Sequence, residues 1–192
     1  FIGAWDIGVS HFYGTSREPV FSPTQIALNA RGEVELVPIY NIIHQSAIDL
    51  QGTFESWLLK LEAISREDRD GRFFASAAGI EYSFFDVNGS GMDIGIVAEY
   101  LFDERDQAPA NNDLALGLRF GLNDINSTEL LAAWGQDLDN QSSFYFVEAS
   151  RRLGDYYKLS LEARGTADIA RADPLGQLGE DDYISVELAR YF

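Results

Sequence analysis

The sequence predicts an all-β fold, an antiparallel up-and-down transmembrane β-barrel with about ten strands in this chain. Three observations predict it: apolar residues recur at every second position in one segment after another, short and long connections alternate between those segments, and the last segment ends on an aromatic residue. Side chains alternate across a strand with period 2, whereas a helix would scatter the same residues around its axis. Composition narrows the class further. The 192 residues carry 14 Lys and Arg against 31 Asp and Glu, a formal charge of −17 that argues against nucleic acid as a partner. No apolar run approaches the roughly 18 residues of a spanning helix, so membrane insertion by helices is excluded. Cysteine is absent, which removes disulfides, thiolate metal ligands and a cysteine nucleophile. No linker divides the chain, so residues 1–192 read as a single domain.

The strands follow in order. Trp5 to Tyr13 forms the first. A weak second lies near Glu33 to Ile42, inside a stretch from 14 to 52 that is poorly legible and loop-rich because Pro19, Pro23 and Pro38 interrupt it. There Ile26, Leu28, Arg31-Gly32, Val34 and Leu36 fit a small hairpin within an external loop. Eight strands follow from about residue 53. Trp57, Leu59, Leu61 and Ala63 share one face; Ile94, Ile96, Ala98, Tyr100 and Phe102 share another, as do Leu114, Leu116, Leu118, Phe120 and Leu122. Tyr145, Val147 and Ala149 repeat the pattern, then Tyr157, Leu159, Leu161 and Ala163, and finally Ile184, Val186 and Leu188. The connections read as short at 87–91, 123–126 and 154–155, and as medium or long at 67–71, 103–113, 137–142 and 168–182. Short turns on one side and longer loops on the other are what an outer-membrane barrel has.

The face opposite the apolar stripe is polar. It carries Lys60, Glu62, Glu81, Glu99, Arg119, Glu129, Glu148, Lys158, Glu162, Arg164 and Glu187, which are expected to line the lumen. Each unpaired ion buried in a dry core would cost several kcal/mol, so these charges must meet water or pair across strands. Trp5, Trp57, Tyr100, Trp134, Tyr145 and Tyr157, with Tyr13, stand toward strand ends, where amphipathic rings form membrane girdles. The competing fold is a soluble β-sandwich, which needs a second sheet to cover the leucines. The acidic loop pairs and triplets Asp68/Asp70, Asp103/Glu104/Asp106, Asp137/Asp139 and Glu180/Asp181/Asp182 lack calcium-loop spacing and read as solvated charge, so neither metal nor cofactor is expected.

Catalytic motifs are sparse. His11 and His44 are the two neutral-pH bases. His44-Gln-Ser46 puts a base and a hydroxyl on one strand face, as in outer-membrane lipid hydrolases, but residue 58, where an orienting Asn or Glu would fall, is Leu. No enzyme is expected.

The last strand, with Tyr191 and the terminal Phe192, resembles the C-terminal assembly signal of bacterial outer-membrane barrels, although Arg190 stands where that signal usually has an apolar or aromatic residue. Ser16-Arg-Glu-Pro-Val20, Trp57-Leu-Leu-Lys-Leu-Glu-Ala63, Asn123-Asp124 with Ser127-Thr-Glu-Leu130, Glu148-Ala-Ser-Arg-Arg152, Lys158-Leu-Ser-Leu-Glu-Ala-Arg164 and Val186-Glu-Leu-Ala-Arg-Tyr-Phe192 together resemble an uncharacterised family of proteobacterial outer-membrane β-barrel proteins. The resemblance implies residence in the bacterial outer membrane, outer-membrane lipids, lipopolysaccharide and the barrel-assembly machinery as partners, and a porin-like passive channel or an envelope-transport role. Two alternatives stay open: a non-conducting barrel that binds a partner or surface lipid through its external loops, and a lipid hydrolase. Members of the family look longer than this chain. Residues 1–192 would then be the C-terminal part of a larger barrel and ten strands a minimum. The start at Phe1, with neither initiator Met nor leader, likewise predicts that a signal peptide or a longer N-terminal part has been removed.

Overall fold

A computed structural model describes residues 3–28, 34–105, 108–170, 173 and 181–192. Twelve strands form among the described residues: β1 (Trp5–Thr15), β2 (Val20–Leu28), β3 (Val34–Ile39), β4 (Ile42–Phe54), β5 (Trp57–Asp68), β6 (Gly71–Phe84), β7 (Asp93–Asp103), β8 (Asn112–Gly121), β9 (Glu129–Asp137), β10 (Ser143–Leu153), β11 (Tyr157–Ala167) and β12 (Tyr183–Arg190). Ten of them make one antiparallel sheet in the order β1-β4-β5-β6-β7-β8-β9-β10-β11-β12, and β2 and β3 pair apart from it. Among the described residues no α-helix forms.

The all-β, antiparallel, up-and-down reading is therefore correct, with ten strands in the main sheet. Among the described residues the sheet is not closed: β1 pairs with β4 alone and β12 with β11 alone. One strand assignment needs correction. The segment near Glu33 to Ile42 supplies β3 of the hairpin, while the main-sheet strand is β4, which fills much of the stretch from 14 to 52. The signal was blurred because His44 and Ser46 occupy β4's apolar side and Ile43 and Ala47 its polar side. The expected hairpin is present as β2 and β3, with Pro38 opposite Phe21 in an isolated two-stranded ladder where a missing N–H matters little. Arg31, Gly32 and Glu33 lie outside the described residues.

Connection lengths also need correction. The β5–β6 link is the two-residue turn 69–70, and the β6–β7 link spans 85–92 with a short 3-10 turn at Val87–Gly89, as long as the β7–β8 link at 104–111. Sidedness survives at the extremes. The insertion between β1 and β4 and the 168–182 connection leave from one end of the sheet, and the 55–56 and 154–156 turns from the other. Gly154 has φ 67 and so closes the latter turn in a left-handed conformation that costs a side-chain-bearing residue more.

Burial is inverted relative to a water-soluble domain. Among the described residues the buried apolar side chains are Ile43 and Ala108, while Ser16, Asn41, Asp113, Asp137, Ser142, Ser143 and Asp173 are buried polar ones. Large apolar residues stand exposed along the sheet, Val9 at 78% and Ile184 at 75% being extreme because they lie on the two free edge strands.

Candidate functional site: the polar face of the sheet

Residues directly opposite each other in an antiparallel ladder point to the same side. Tracing the register across the sheet places Lys60, Glu62, Glu81, Glu99, Arg119, Glu129, Glu148, Lys158, Glu162, Arg164 and Glu187 all on one face. The same register puts Trp5, Trp57, Tyr100, Trp134, Tyr145 and Tyr157 on the other.

The polar face is concave. A cavity of about 610 Å³ touches Ser83 of β6, Asp93, Arg119, Glu148, Lys158 and Glu187 of β12. Six inter-strand steps of about 4.8 Å would separate β6 from β12 by about 29 Å in a flat sheet. One cavity reaching both requires the sheet to curl toward its polar side.

Pairing on this face is partial. Arg119 meets Glu81 across Gly95, and Arg164 Nε lies 2.8 Å from Glu162, whose carboxylate also accepts from the Tyr183 hydroxyl. Among the described residues, no other side chain hydrogen-bonds or ion-pairs with Asp49, Glu62, Glu99, Glu148 or Glu187. Asp93 also lies on this face, as do Asp6 and Asp49, which were missed by the sequence reading; for Asp49 the available signal was its place between Ile48 and Leu50.

The opposite face is apolar between two aromatic bands. Trp5, Phe54, Trp57, Tyr82, Phe84, Phe120 and Tyr157 mark the short-turn end, with Trp57 and Tyr82 in edge contact at 4.5 Å. Tyr13, Phe74, Tyr100, Phe102, Trp134 and Tyr145 mark the end from which the 168–182 connection leaves. Aliphatic residues fill the interval. Tyr191 and Phe192 follow β12; Tyr191 donates its N–H to the Tyr156 carbonyl at 2.8 Å, and Phe192 is fully exposed. Arg190 lies 4.9 Å from the Phe192 ring and 5.8 Å from that of Tyr157. The departure from the terminal signal is thus a cation resting on rings at the sheet's end.

The carboxylates read as loop charge are engaged locally, and Asp68, Asp103 and Asp137 among them are not in loops but end β5, β7 and β9. Asp68 and Asp70 both accept from Asn41, and Asp103 grips Arg105 through two nitrogens. That grip holds the Arg105 guanidinium above its ordinary pKa, the Asp103 hydrogen bond being the largest cause. Asp137 caps its own turn through Asp139 N and Asn140, and Asp139 accepts from Asn112. Asp106 and Glu180 lie outside the described residues.

A small polar island interrupts the apolar face. Ser46 hydrogen-bonds His11 across the β1–β4 ladder, Oγ to Nδ1 at 3.0 Å, while His44 stacks on Tyr13 at 4.5 Å. Ser46 and His44 do share a face, but the base beside the hydroxyl is His11. The period of β1, which places His11 with Trp5, Ile7 and Val9, was the signal that could have found it.

No family model, curated protein or solved structure matches this chain.

Proposed function

We propose that this sheet is the wall of an outer-membrane β-barrel, with the apolar face in lipid, the concave polar face around an aqueous lumen, and passive passage of small solutes as in a porin. One observation carries the reading. Twenty charged side chains of the main sheet fall on one face and the aromatic bands and aliphatic stripe on the other, an arrangement that exposes apolar surface far beyond what a soluble monomer presents. Among the described residues no second sheet covers that face, as a sandwich would require.

Dimensions support the same reading. From Phe74 to Phe84 along β6 the ten steps run about 33 Å, which at the roughly 40° tilt of barrel strands spans about 25 Å, the height of an outer-membrane apolar band. β1 and β12 are antiparallel to one another and each has a free edge, so they can close the wall directly or through further strands. The resemblance of residues 186–192 to an assembly signal supports insertion by the barrel-assembly machinery. The long connections would then face lipopolysaccharide outside. Conductance in planar bilayers tests the proposal: discrete steps are expected, and a folded, inserted protein without steps leaves the non-conducting barrel in its place.

The 3.0 Å contact between Ser46 and His11 favours a second reading, an ester hydrolase acting on membrane lipid. Ser46 would attack the acyl carbonyl as His11 takes its proton, the ester C–O bond would break with His11 returning that proton to the leaving alkoxide, and water would then release the acyl group from Ser46 as a carboxylic acid. Lipid turnover abolished in Ser46→Ala supports it, and unchanged turnover removes it.

A further inference from the structure

Resting on the channel reading above, we propose that the passage is selective for cations, and that carboxylates facing each other across neighbouring strands, foremost Asp49 with Glu62 and Glu148 with Glu162, set that preference. The first support is the split of charge between the two faces. Traced through the register, the ten strands of the main sheet carry fourteen Asp and Glu but six Lys and Arg on the polar face, whereas the apolar face carries Glu67 against Arg72, Arg151 and Arg190. Within the main sheet the negative charge is thus concentrated where a lumen would be.

The second support is the arrangement of those acids. Asp49 stands directly opposite Glu62 and Glu148 opposite Glu162 on the open part of the face, whereas a third such pair, Asp113 and Asp137, is buried at the strand ends. Like charges directly opposite on one face destabilise a sheet. In a dry, filled lumen the penalty would be several kcal/mol per unpaired ion; in water with mobile cations it is screened within about 8–10 Å. A fold that repeats such pairs while leaving Lys60 and Lys158 without ion-pair partners among the described residues is suited to a wet lumen that holds counterions.

Glycines supply the third. Gly8, Gly79 and Gly95 lie beside Asp49, Glu99 and Glu81, where a Cβ would come within 3.1, 3.8 and 3.1 Å of the respective carboxylate oxygens. Each glycine puts no side chain of its own against these carboxylates, and at Gly95 the space is crossed by Arg119 on its way to Glu81. Rows of such carboxylates in a low-dielectric wall raise the local cation concentration and exclude anions.

The test is the reversal potential of the whole chain in a planar bilayer separating two KCl concentrations. The expected sign is that of potassium permeating several-fold better than chloride, with the ratio falling toward one in the pair-neutralised variant Asp49→Asn/Glu62→Gln and further when Glu148→Gln is added. A conducting wild type that reverses at zero or with the chloride sign overturns the selectivity while leaving the passage intact, as does a neutralised variant with the wild-type ratio. An inserted protein with no conductance overturns the passage itself, and this inference with it.

Discussion

Phe144 lays its ring over Gly135, its direct partner on the neighbouring strand, so closely that a Cβ there has no room. Both face the polar side, where an aromatic ring covering a glycine shields the ladder beneath it and pins the β9–β10 register. Gly135→Ala should destabilise the sheet by about 1–3 kcal/mol, the range for overpacking a filled site. Urea unfolding midpoints read it, and Phe144→Ala in the same background should recover most of the loss. A Gly135→Ala variant as stable as wild type would contradict this packing.

Adjacent residues of β8 should report opposite surroundings. Leu116 stands on the apolar face and Gly117 on the polar one. Because the chain has no cysteine of its own, Leu116→Cys and Gly117→Cys are clean single probes. In the membrane-inserted protein a water-soluble thiol reagent should label Gly117→Cys and spare Leu116→Cys. Leu116→Arg should cost roughly 2–4 kcal/mol, the penalty for a cation on the lipid face near the midplane. Equal labelling of the two cysteines would mean that both faces are wet.

The long period-2 segments were legible because each strand has one uniformly apolar side; every charge assigned to the polar face from β5 onward kept its place once pairing was known. β4 was not legible, since His44 and Ser46 break its apolar side and the flanking prolines suggested loop. Pairing across strands cannot be read from spacing within one. For that reason the oppositions of Asp49 with Glu62 and of Glu148 with Glu162, and the bond of Ser46 to His11, emerge only from the register. Turn lengths misled where acidic residues ended strands: Glu67 and Asp68 look like loop yet close β5.

Arg119 reaches Glu81 by crossing Gly95 on the intervening strand, where a Cβ would come within 3.4 Å of the guanidinium Nε. Arg119 keeps 57% of its side chain exposed, so solvent screens the pair strongly. A double-mutant cycle with Glu81→Gln and Arg119→Gln should give a coupling between zero and about 1 kcal/mol, shrinking further in 1 M salt. A coupling well above that range, or one indifferent to salt, would place the pair in a dry lumen and weigh against passage of ions.

The turn between β8 and β9 should make stability depend on acid. Asp124 accepts from the Thr128 N–H at 2.7 Å and from the Thr128 hydroxyl at 2.9 Å, with Arg151 3.7 Å away. The backbone bond above all, then the hydroxyl and Arg151, holds its carboxyl below the ordinary aspartate value of 3.8. A carboxylate whose folded pKa is depressed stabilises the fold above the unfolded value and loses that contribution as pH falls through the folded one. Asp124→Asn should therefore unfold earlier than wild type at neutral pH, by an amount that stays constant down to the ordinary carboxylate range. Below it the two should converge, because wild-type Asp124 is then neutral as well. Urea midpoints of both proteins across an acidic pH series measure this, and a gap that persists unchanged at the acid end would show that the charge on Asp124 contributes nothing to the turn.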